Sequence, residues 1–178
     1  MKTIESFATT SKCNFILQQG IAETPQQVCP KKFNALVFQP RIVAVLLLIG
    51  IVFQAPLLFF ALGGLLWWSA LVPRRNPFDA VYNHFFGSIP GTERLGPAPA
   101  PRRFAQMLAG CFSMAIVLFL ATDHRAAAYV MEILFAGAAA ALSLGRFCLG
   151  SFLFHLLRGR VQFALQTLPW VQRNQKSP

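Results

Sequence analysis

The stretch "IVAVLLLIGIVFQAPLLFFALGGLLWW", residues 42–68, decides what kind of protein this is. It contains no charged side chain and is longer than the about 20 apolar residues that a membrane-spanning helix needs. Gln54-Ala55-Pro56 interrupts it, and a proline suits the first turn of a new helix. We therefore predict two spans here, residues 33–53 and 57–72, joined by a short turn. One kinked span over residues 42–72 is the alternative.

The composition of the whole chain also indicates a membrane protein. Of its 178 residues, 55% are hydrophobic and 12% are charged, and the mean hydropathy is +0.51, outside the range of soluble proteins. A net charge of +10 raises the question of nucleic acid. The basic residues, however, lie between apolar runs and form no stripe with aromatic stacking partners, so we expect no nucleic-acid binding.

Two further apolar runs follow at residues 104–121 and 126–157. Positive charge then sets the orientation, because Lys and Arg collect in cytoplasmic loops. Four helices with both termini in the cytoplasm place every basic cluster on one side, whereas three helices would separate the first two clusters. The predicted fold is an all-α protein of four transmembrane helices with both termini in the cytoplasm. The clusters are Lys31, Lys32 and Arg41; Arg74, Arg75, Arg94, Arg102 and Arg103; and Arg158, Arg160, Arg173 and Lys176.

The central inner loop carries the signal of a short helix. Asn76-Pro77-Phe78-Asp79 supplies a cap, a first-turn proline and an acidic residue near the helix N-terminus. We predict an interfacial helix over residues 77–86, with its apolar residues on one face and Asp79 turned away from it. The following "PGTERLGPAPAPRR", residues 90–103, is too rich in proline to be helical and should be extended.

The termini flank this transmembrane domain of residues 33–160. The N-terminal arm, residues 1–32, has no feature of a secretory signal peptide and should need a partner surface to become ordered. The C-terminal tail, residues 161–178, should lie in the interface. The expected contacts with partner subunits or anionic lipids on the inner face are Arg74, Arg75, Arg94, Arg102, Arg103 and Trp170.

Association between helices in lipid depends on close packing of small residues. Small residues recur at four-residue spacing in the fourth run and in the third run. We predict that these two stripes pack against each other; the residues are Gly137, Ala141 and Gly145 in the fourth run, and Ala105, Ala109 and Ser113 in the third.

The stretch "RFCLGSFLFHLLRGR", residues 146–160, holds the candidate reactive side chains. If the fourth helix runs unbroken to residue 157, then Cys148, Ser151 and His155 share the face of the Gly137 stripe. Cys148 is either a reactive thiol or an inert buried one. His155 is either a tetrapyrrole ligand or a hydrogen-bonded interface histidine. The four cysteines form no C-x-x-C pair, so we expect reduced thiols rather than a zinc site or a disulfide framework.

Two ionisable residues lie within the fourth run, Glu132 and Arg146. Their fourteen-residue separation corresponds to about 21 Å along a helix, so each can reach its own interface. We favour that interpretation over a transport pathway, which needs several polar groups in the middle of the membrane.

Three motifs carry a resemblance to a known family. "ERLGP" at 93–97, "PRRFAQ" at 101–106 and "CLGS" at 148–151 resemble the bacterial integral membrane family known as domain of unknown function 4395, over roughly residues 33–160. The resemblance implies four membrane helices and a location in the bacterial inner membrane. Members commonly end the last helix with C-L-G-C, and some occur alongside thioredoxin-like or sulfurtransferase proteins, which implies thiol chemistry. Here Ser151 replaces the second cysteine, so only Cys148 carries over.

No catalytic constellation, phosphate loop or metal-ligand spacing is present in the sequence. We therefore expect a non-enzymatic accessory or structural subunit of a larger bacterial membrane complex, for example an energy-transducing one, photosynthetic or respiratory. Its partners would be other membrane subunits and anionic lipids. No cofactor is predicted, although pigment or lipid in the helix grooves stays open. The alternatives are a membrane thiol or sulfur-handling protein acting through Cys148 and, more weakly, a small-solute carrier.

Overall fold

The computed structural model describes residues 2–21, 28–89 and 92–171, with side chains from residue 9 onward. All regular secondary structure in these residues is helical. A 3-10 turn at Pro73–Arg75 precedes α5. The helices are α1 Lys2–Gln18, α2 Cys29–Leu36, α3 Phe38–Phe53, α4 Pro56–Leu71, α5 Pro77–Phe85, α6 Ala100–Ala121, α7 Arg125–Ser143, α8 Leu149–Leu157 and α9 Val161–Gln166.

Three helical stretches are long and apolar enough to cross a membrane. They are Cys29–Phe53, in which α2 and α3 run together over 25 residues, α6 with 22 residues and α7 with 19. The fourth apolar helix, α4, has 16 residues and is about 24 Å long, somewhat shorter than a bilayer core. The chain is therefore helical and suited to a membrane.

The break within residues 42–68 lies where the sequence predicts it. Gln54 ends α3 in the left-handed conformation with φ 46°, and Pro56 occupies the first turn of α4. The short helix of the central loop is also confirmed, since Asn76 caps α5 by accepting a hydrogen bond from the backbone N–H of Phe78 at 3.0 Å. The proline-rich segment, in contrast, becomes helical earlier than predicted, at Ala100, with Pro101 in the first turn of α6.

Helix α6 is the central helix, because α4, α7 and α8 all pack on it. Its closest neighbour is α4, where Gly63 and Gly110 face each other. A Cβ atom added to Gly110 would lie 2.3 Å from the Cδ1 atom of Trp67 and 3.2 Å from the carbonyl oxygen of Gly63. Small residues thus allow two backbones to approach closely, as expected for association in lipid.

The predicted pairing of small residues between the third and fourth runs is wrong. Gly137 and Gly145 are exposed, and a Cβ on Gly137 would meet nothing within 4 Å; Ala141 is half-buried. On α6, Ser113 instead contacts Gly63 of α4, and Ala105 contacts Gly150 of α8. Ala109 belongs to the apolar cluster between α3, α4, α6 and α7. The small residues of α6 are thus packed against other helices, but not against the Gly137 and Gly145 stripe of α7.

The fourth run is two helices rather than one. Helix α7 ends at Ser143, and residues 144–148 are not helical, with Arg146 at φ 53° in the left-handed region. An unbroken helix over residues 126–157 would be about 48 Å long, well beyond the bilayer core. The break lets α8 turn back and pack on α6. Cys148, Ser151 and His155 are all buried, but Cys148 directly precedes α8 and the other two lie on α8, so none of them is on a continuation of α7.

The N-terminal arm is anchored to its own chain, contrary to the expectation that it needs a partner. Helix α1 packs on α2, and the side-chain amide of Asn14 donates to the carbonyl oxygens of Leu168 and Val171 in the tail. Helix α1 and the tail thus join at one end of the molecule. Residues 22–27 of the N-terminal arm, and the basic residues Arg173 and Lys176 of the tail, lie outside the described residues.

Candidate functional site

A chain of buried polar side chains connects α3, α5 and α6. The guanidinium of Arg102 donates to Asp79 Oδ1 at 2.6 Å and to Gln39 Oε1 at 2.9 Å. Gln106 Nε2 donates to the same Gln39 oxygen at 2.8 Å, and Asn76 Nδ2 donates to Asp79 Oδ2 at 2.9 Å. The Arg102 and Asp79 side chains are only 6% and 8% exposed. The ion pair is therefore neutralised and hydrogen-bonded inside the protein.

Two sequence interpretations are corrected by this arrangement. Asp79 does not turn away from the protein, because α5 directs Phe78, Asp79 and Tyr82 inward and leaves Val81 and Phe85 exposed. Arg102 is not an inner-face contact, because its charge is used within the chain. The other predicted contacts are all exposed: Arg74, Arg75, Arg94, Arg103 and Trp170. Two of them also bond within the chain, since Arg94 donates to the carbonyl oxygen of Gly87 and Arg103 to that of Ala70.

A cavity of about 220 Å³ lies beside this polar chain. Its walls come from α1, α3, α6, α7 and α8 and are mostly apolar, with Phe15, Phe112 and Phe135 among them. Gln39, Arg102 and Gln106 line it as polar groups, as does Gln19 of the segment after α1. An apolar space with a few fixed polar groups is typical of a small-molecule site.

The cysteines are arranged differently from the sequence prediction. Cys13 of α1 and Cys29 of α2 form a disulfide with a Cα–Cα distance of 5.3 Å, so the expectation of reduced thiols is wrong for this pair. Their sixteen-residue spacing follows no motif, and only the packing of α1 on α2 brings them together. Cys148 is a buried free thiol in the same apolar cluster, and it also lines the cavity.

The disulfide makes a simple prediction for thiol counting. Protein denatured without reductant should react with two maleimides, at Cys111 and Cys148, and after reduction with four. Intact-mass spectrometry measures both numbers. Four adducts on unreduced protein would contradict the pairing, and a Cys111→Ser variant should show one adduct fewer in both states.

His155 is enclosed by the protein's own residues. Its Nε2 lies 3.1 Å from the carbonyl oxygen of Gln18, so Nε2 carries the proton and donates. The ring packs between Phe154 and Phe163, with centroid distances of 5.5 Å and 4.7 Å, and Nδ1 is buried without a partner in the described residues. This environment fits the hydrogen-bonded histidine of the sequence alternatives and does not fit a tetrapyrrole ligand.

The burial of His155 predicts a pH dependence of stability. Desolvation lowers the pKa of its imidazole below the ordinary value of 6.5, the bond to the Gln18 carbonyl opposes this, and Arg160 lowers the pKa further. The unfolded state therefore binds the proton more readily, so this contribution is complete above about pH 6.5 and is lost as the pH falls.

We expect the thermal unfolding midpoint to fall between about pH 8 and about pH 5.5, and to fall less in His155→Gln. The exposed His84 supplies the control, since His84→Gln should keep the wild-type profile. Equal profiles for wild type and His155→Gln would show that another group is responsible.

The Glu132 side chain is buried within the protein, beside the turn that follows α3. It is 1% exposed, and both carboxylate oxygens accept from Gln54 Nε2 at 3.1 Å. The amide of Gln54 also donates to the Ile51 carbonyl, so the turn after α3 is tied to α7. Arg146 is half-buried, with its guanidinium 5.9 Å from the ring centroid of Phe33.

Comparison with known proteins identifies a family for this protein but assigns no activity to it. Among the described residues there is no group of three or more His, Cys, Asp or Glu side chains that could hold a metal ion. No curated protein and no solved structure matches the chain. A family described as a domain of unknown function, DUF4395, matches residues 32–159, which include the polar chain and Cys148 but not Cys13 or Cys29. The protein therefore belongs to the DUF4395 family.

Proposed function

We propose that this protein is a non-enzymatic subunit of a larger assembly in the bacterial inner membrane, an energy-transducing assembly being the example we favour. Four spans are proposed, at Cys29–Phe53, Pro56–Leu71, Ala100–Ala121 and Arg125–Ser143. The observation that carries the proposal is an uncovered apolar surface outside these spans. We call it the α5 surface, and it consists of Val81, Phe85, Phe86 and Ile89.

The apolar side chains of the α5 surface are well exposed, although this helix is not proposed to span the membrane. Phe85 is 66% exposed and Val81 is 45% exposed, while the opposite face of α5 is buried. Exposed Arg74 and Arg75 lie just before this helix. Contiguous apolar surface rimmed by charge is typical of contact sites for proteins or membranes.

The ionisable groups of the interior support a structural role rather than catalysis. Asp79 and Arg102 neutralise each other, and Glu132 is hydrogen-bonded by Gln54. The cavity wall is mostly apolar, which does not favour a carrier for polar solutes. Each buried charge in the described residues thus has a partner that holds the fold.

A photo-crosslinking residue in place of Phe85 tests the subunit proposal. Irradiation of native membranes should give a discrete protein adduct, and the same residue in place of Val52, which is exposed on α3 within a proposed span, should give lipid adducts only. Lipid adducts alone at both positions would refute the proposed contact through α5. Mass spectrometry of the adduct identifies the class of neighbour.

We propose that both termini face the cytoplasm, on the basis of three arginines in the loop between α4 and α6 and two more in the first turn of α6. The Cys13–Cys29 disulfide favours the opposite side, because disulfides are rare in reducing compartments. Labelling of intact cells with a membrane-impermeant maleimide decides between the two orientations. Asp123→Cys should react and Ser88→Cys should not; the reverse result inverts the orientation.

A second candidate function is thiol–disulfide exchange through Cys148. It is favoured because Cys148 shares one buried cluster with the Cys13–Cys29 disulfide. In such a step the Cys148 thiolate attacks one sulfur, forms a mixed disulfide and releases the other cysteine as a thiolate. In Cys13→Ser, oxidation should then produce a Cys29–Cys148 disulfide. If peptide mapping finds Cys148 as a free thiol in both Cys13→Ser and Cys29→Ser, exchange is excluded.

A further inference from the structure

We propose that the cavity beside Gln106 binds a lipid-soluble ring compound through a hydroxyl group that donates to Gln106 Oε1. Gln106 is 5% exposed and lines the cavity, and its Oε1 atom is buried without a hydrogen-bond partner in the described part of the chain. A buried acceptor without a partner is costly, and a ligand with a donor would satisfy it.

The neighbouring residues determine that the unpartnered atom of the Gln106 amide is the oxygen and not the nitrogen. Asp79 can only accept, so the Arg102 guanidinium donates to it and also donates to Gln39 Oε1. Because Gln39 presents an oxygen, Gln106 must direct its N–H group there, at 2.8 Å. Turning the Gln106 amide over would place two oxygens against each other. The polar chain therefore leaves the oxygen of Gln106 without a partner at a residue that lines the cavity, and the complementary group is a donor.

The size and walls of the cavity favour a ring. A cavity of about 150 Å³ is known to hold benzene, so about 220 Å³ has room for a somewhat larger ring compound. Phe112 and Phe135 stack on each other at a centroid distance of 6.0 Å and present aromatic walls together with Phe15. A phenolic compound combines a hydroxyl donor with an aromatic ring system that matches the size and the apolar walls of the cavity.

The entry to the cavity lies on the side expected to meet lipid. Leu134 of α7 and Leu149 of α8 line the cavity and are also exposed, so its rim opens between these helices. The non-helical residues 144–148 separate the two helices at this point. A lipid-soluble compound can therefore enter from the bilayer. An acyl chain could enter too, but it carries no donor for Gln106.

Two probes of nearly equal shape test the inference on the full chain in lipid nanodiscs. 1-Naphthol has the donor, and 1-methoxynaphthalene does not. Equilibrium dialysis against empty nanodiscs subtracts partition into lipid. We expect saturable, protein-dependent binding in which 1-naphthol binds about tenfold more tightly, as expected for one hydrogen bond to a buried acceptor. Equal affinities, or no saturable binding of either probe, would overturn the proposal.

Variants assign the contact to Gln106. In Gln106→Leu the affinity ratio of the two probes should fall to about one, since the acceptor is removed. Gln106→Met serves the same purpose should the leucine variant not fold. Ala109→Phe, which fills the cavity, should abolish binding of both probes, whereas Gly137→Phe on the exposed face of α7 should change neither affinity. A tenfold ratio that persists in the Gln106 variants would mean that another atom accepts the hydroxyl.

Discussion

Replacing Asp79 with alanine is expected to lower the free energy of unfolding by about 3–5 kcal/mol, because it leaves the Arg102 guanidinium buried and without its counter-ion. Both side chains are less than a tenth exposed, so water cannot replace the lost carboxylate. For a chain of this length the thermal midpoint should fall by roughly 6–20 °C. Tryptophan fluorescence of the protein in detergent, with its three tryptophans, measures this midpoint.

The matched control uses the exposed ion pair at the start of α7. Asp123 and Arg125 are bonded at 3.0 Å but are 84% and 74% exposed, so Asp123→Ala should shift the midpoint very little. The double variant Asp79→Ala, Arg102→Met should recover most of the lost stability, since it removes both buried charges. A small effect of Asp79→Ala alone would show that the pair is hydrated and not buried.

Replacing Gly110 with leucine is the second change expected to have a large effect. Even a Cβ at this position would lie 2.3 Å from the Trp67 ring, and the carbonyl oxygen of Gly63 blocks movement toward α4. The side chain must therefore separate α4 from α6. We expect destabilisation at or above the upper end of the about 1–3 kcal/mol typical of overpacking. Protease resistance in mild detergent should fall together with the thermal midpoint.

Glycines elsewhere in the same type of helix provide the comparison. A Cβ on Gly64 or Gly137 would have no neighbour within 4 Å, so Gly64→Leu and Gly137→Leu should retain wild-type protease resistance. All three glycine-to-leucine substitutions raise helix propensity by the same amount, so a difference in protease resistance reports only the packing of the added side chain. If all three variants behave alike, the close contact of α4 with α6 does not hold the helices together.

Local signals in the sequence predicted the features that depend on a few neighbouring residues. The turn at Gln54 and the Asn76 cap of α5 each follow from side chains within four positions of the feature, and both are confirmed. The two apolar helices on either side of the Gln54 turn were likewise visible in the sequence, because their apolar runs define them. Such features need no knowledge of what lies across the molecule.

The buried ion pair could not be predicted from local pattern. Asp79 and Arg102 are 23 residues apart, and their contact exists because the first turn of α6 reaches the inner face of α5. In the sequence Arg102 is one of five arginines in a basic loop, and nothing local separates the buried one from the exposed ones. Gln39 and Gln106 were missed for the same reason, since an uncharged amide within an apolar run gives no functional signal.

The glycine pattern was equally ambiguous. Gly63 and Gly64 are adjacent, yet only Gly63 faces α6, and Gly137 faces away from the described part of the protein. Four-residue spacing shows that a helix has a smooth face but not which helix meets it. The break at Arg146 then redirects the chain, so Ala105 of α6 meets Gly150 of α8 and not the Gly137 stripe that the sequence predicts.

The anchoring of α1 sets an order of events during translation. Gln18 bonds to the backbone of Cys148 and to His155, 130 and 137 residues later, and Asn14 bonds to Leu168 and Val171, 154 and 157 residues later. Cys29 follows Cys13 by only sixteen residues, so the covalent link can form on a short nascent chain. The contacts of α1 with residues 148–171 can therefore form only after the last helices have been made, whereas its contact with α2 can form earlier.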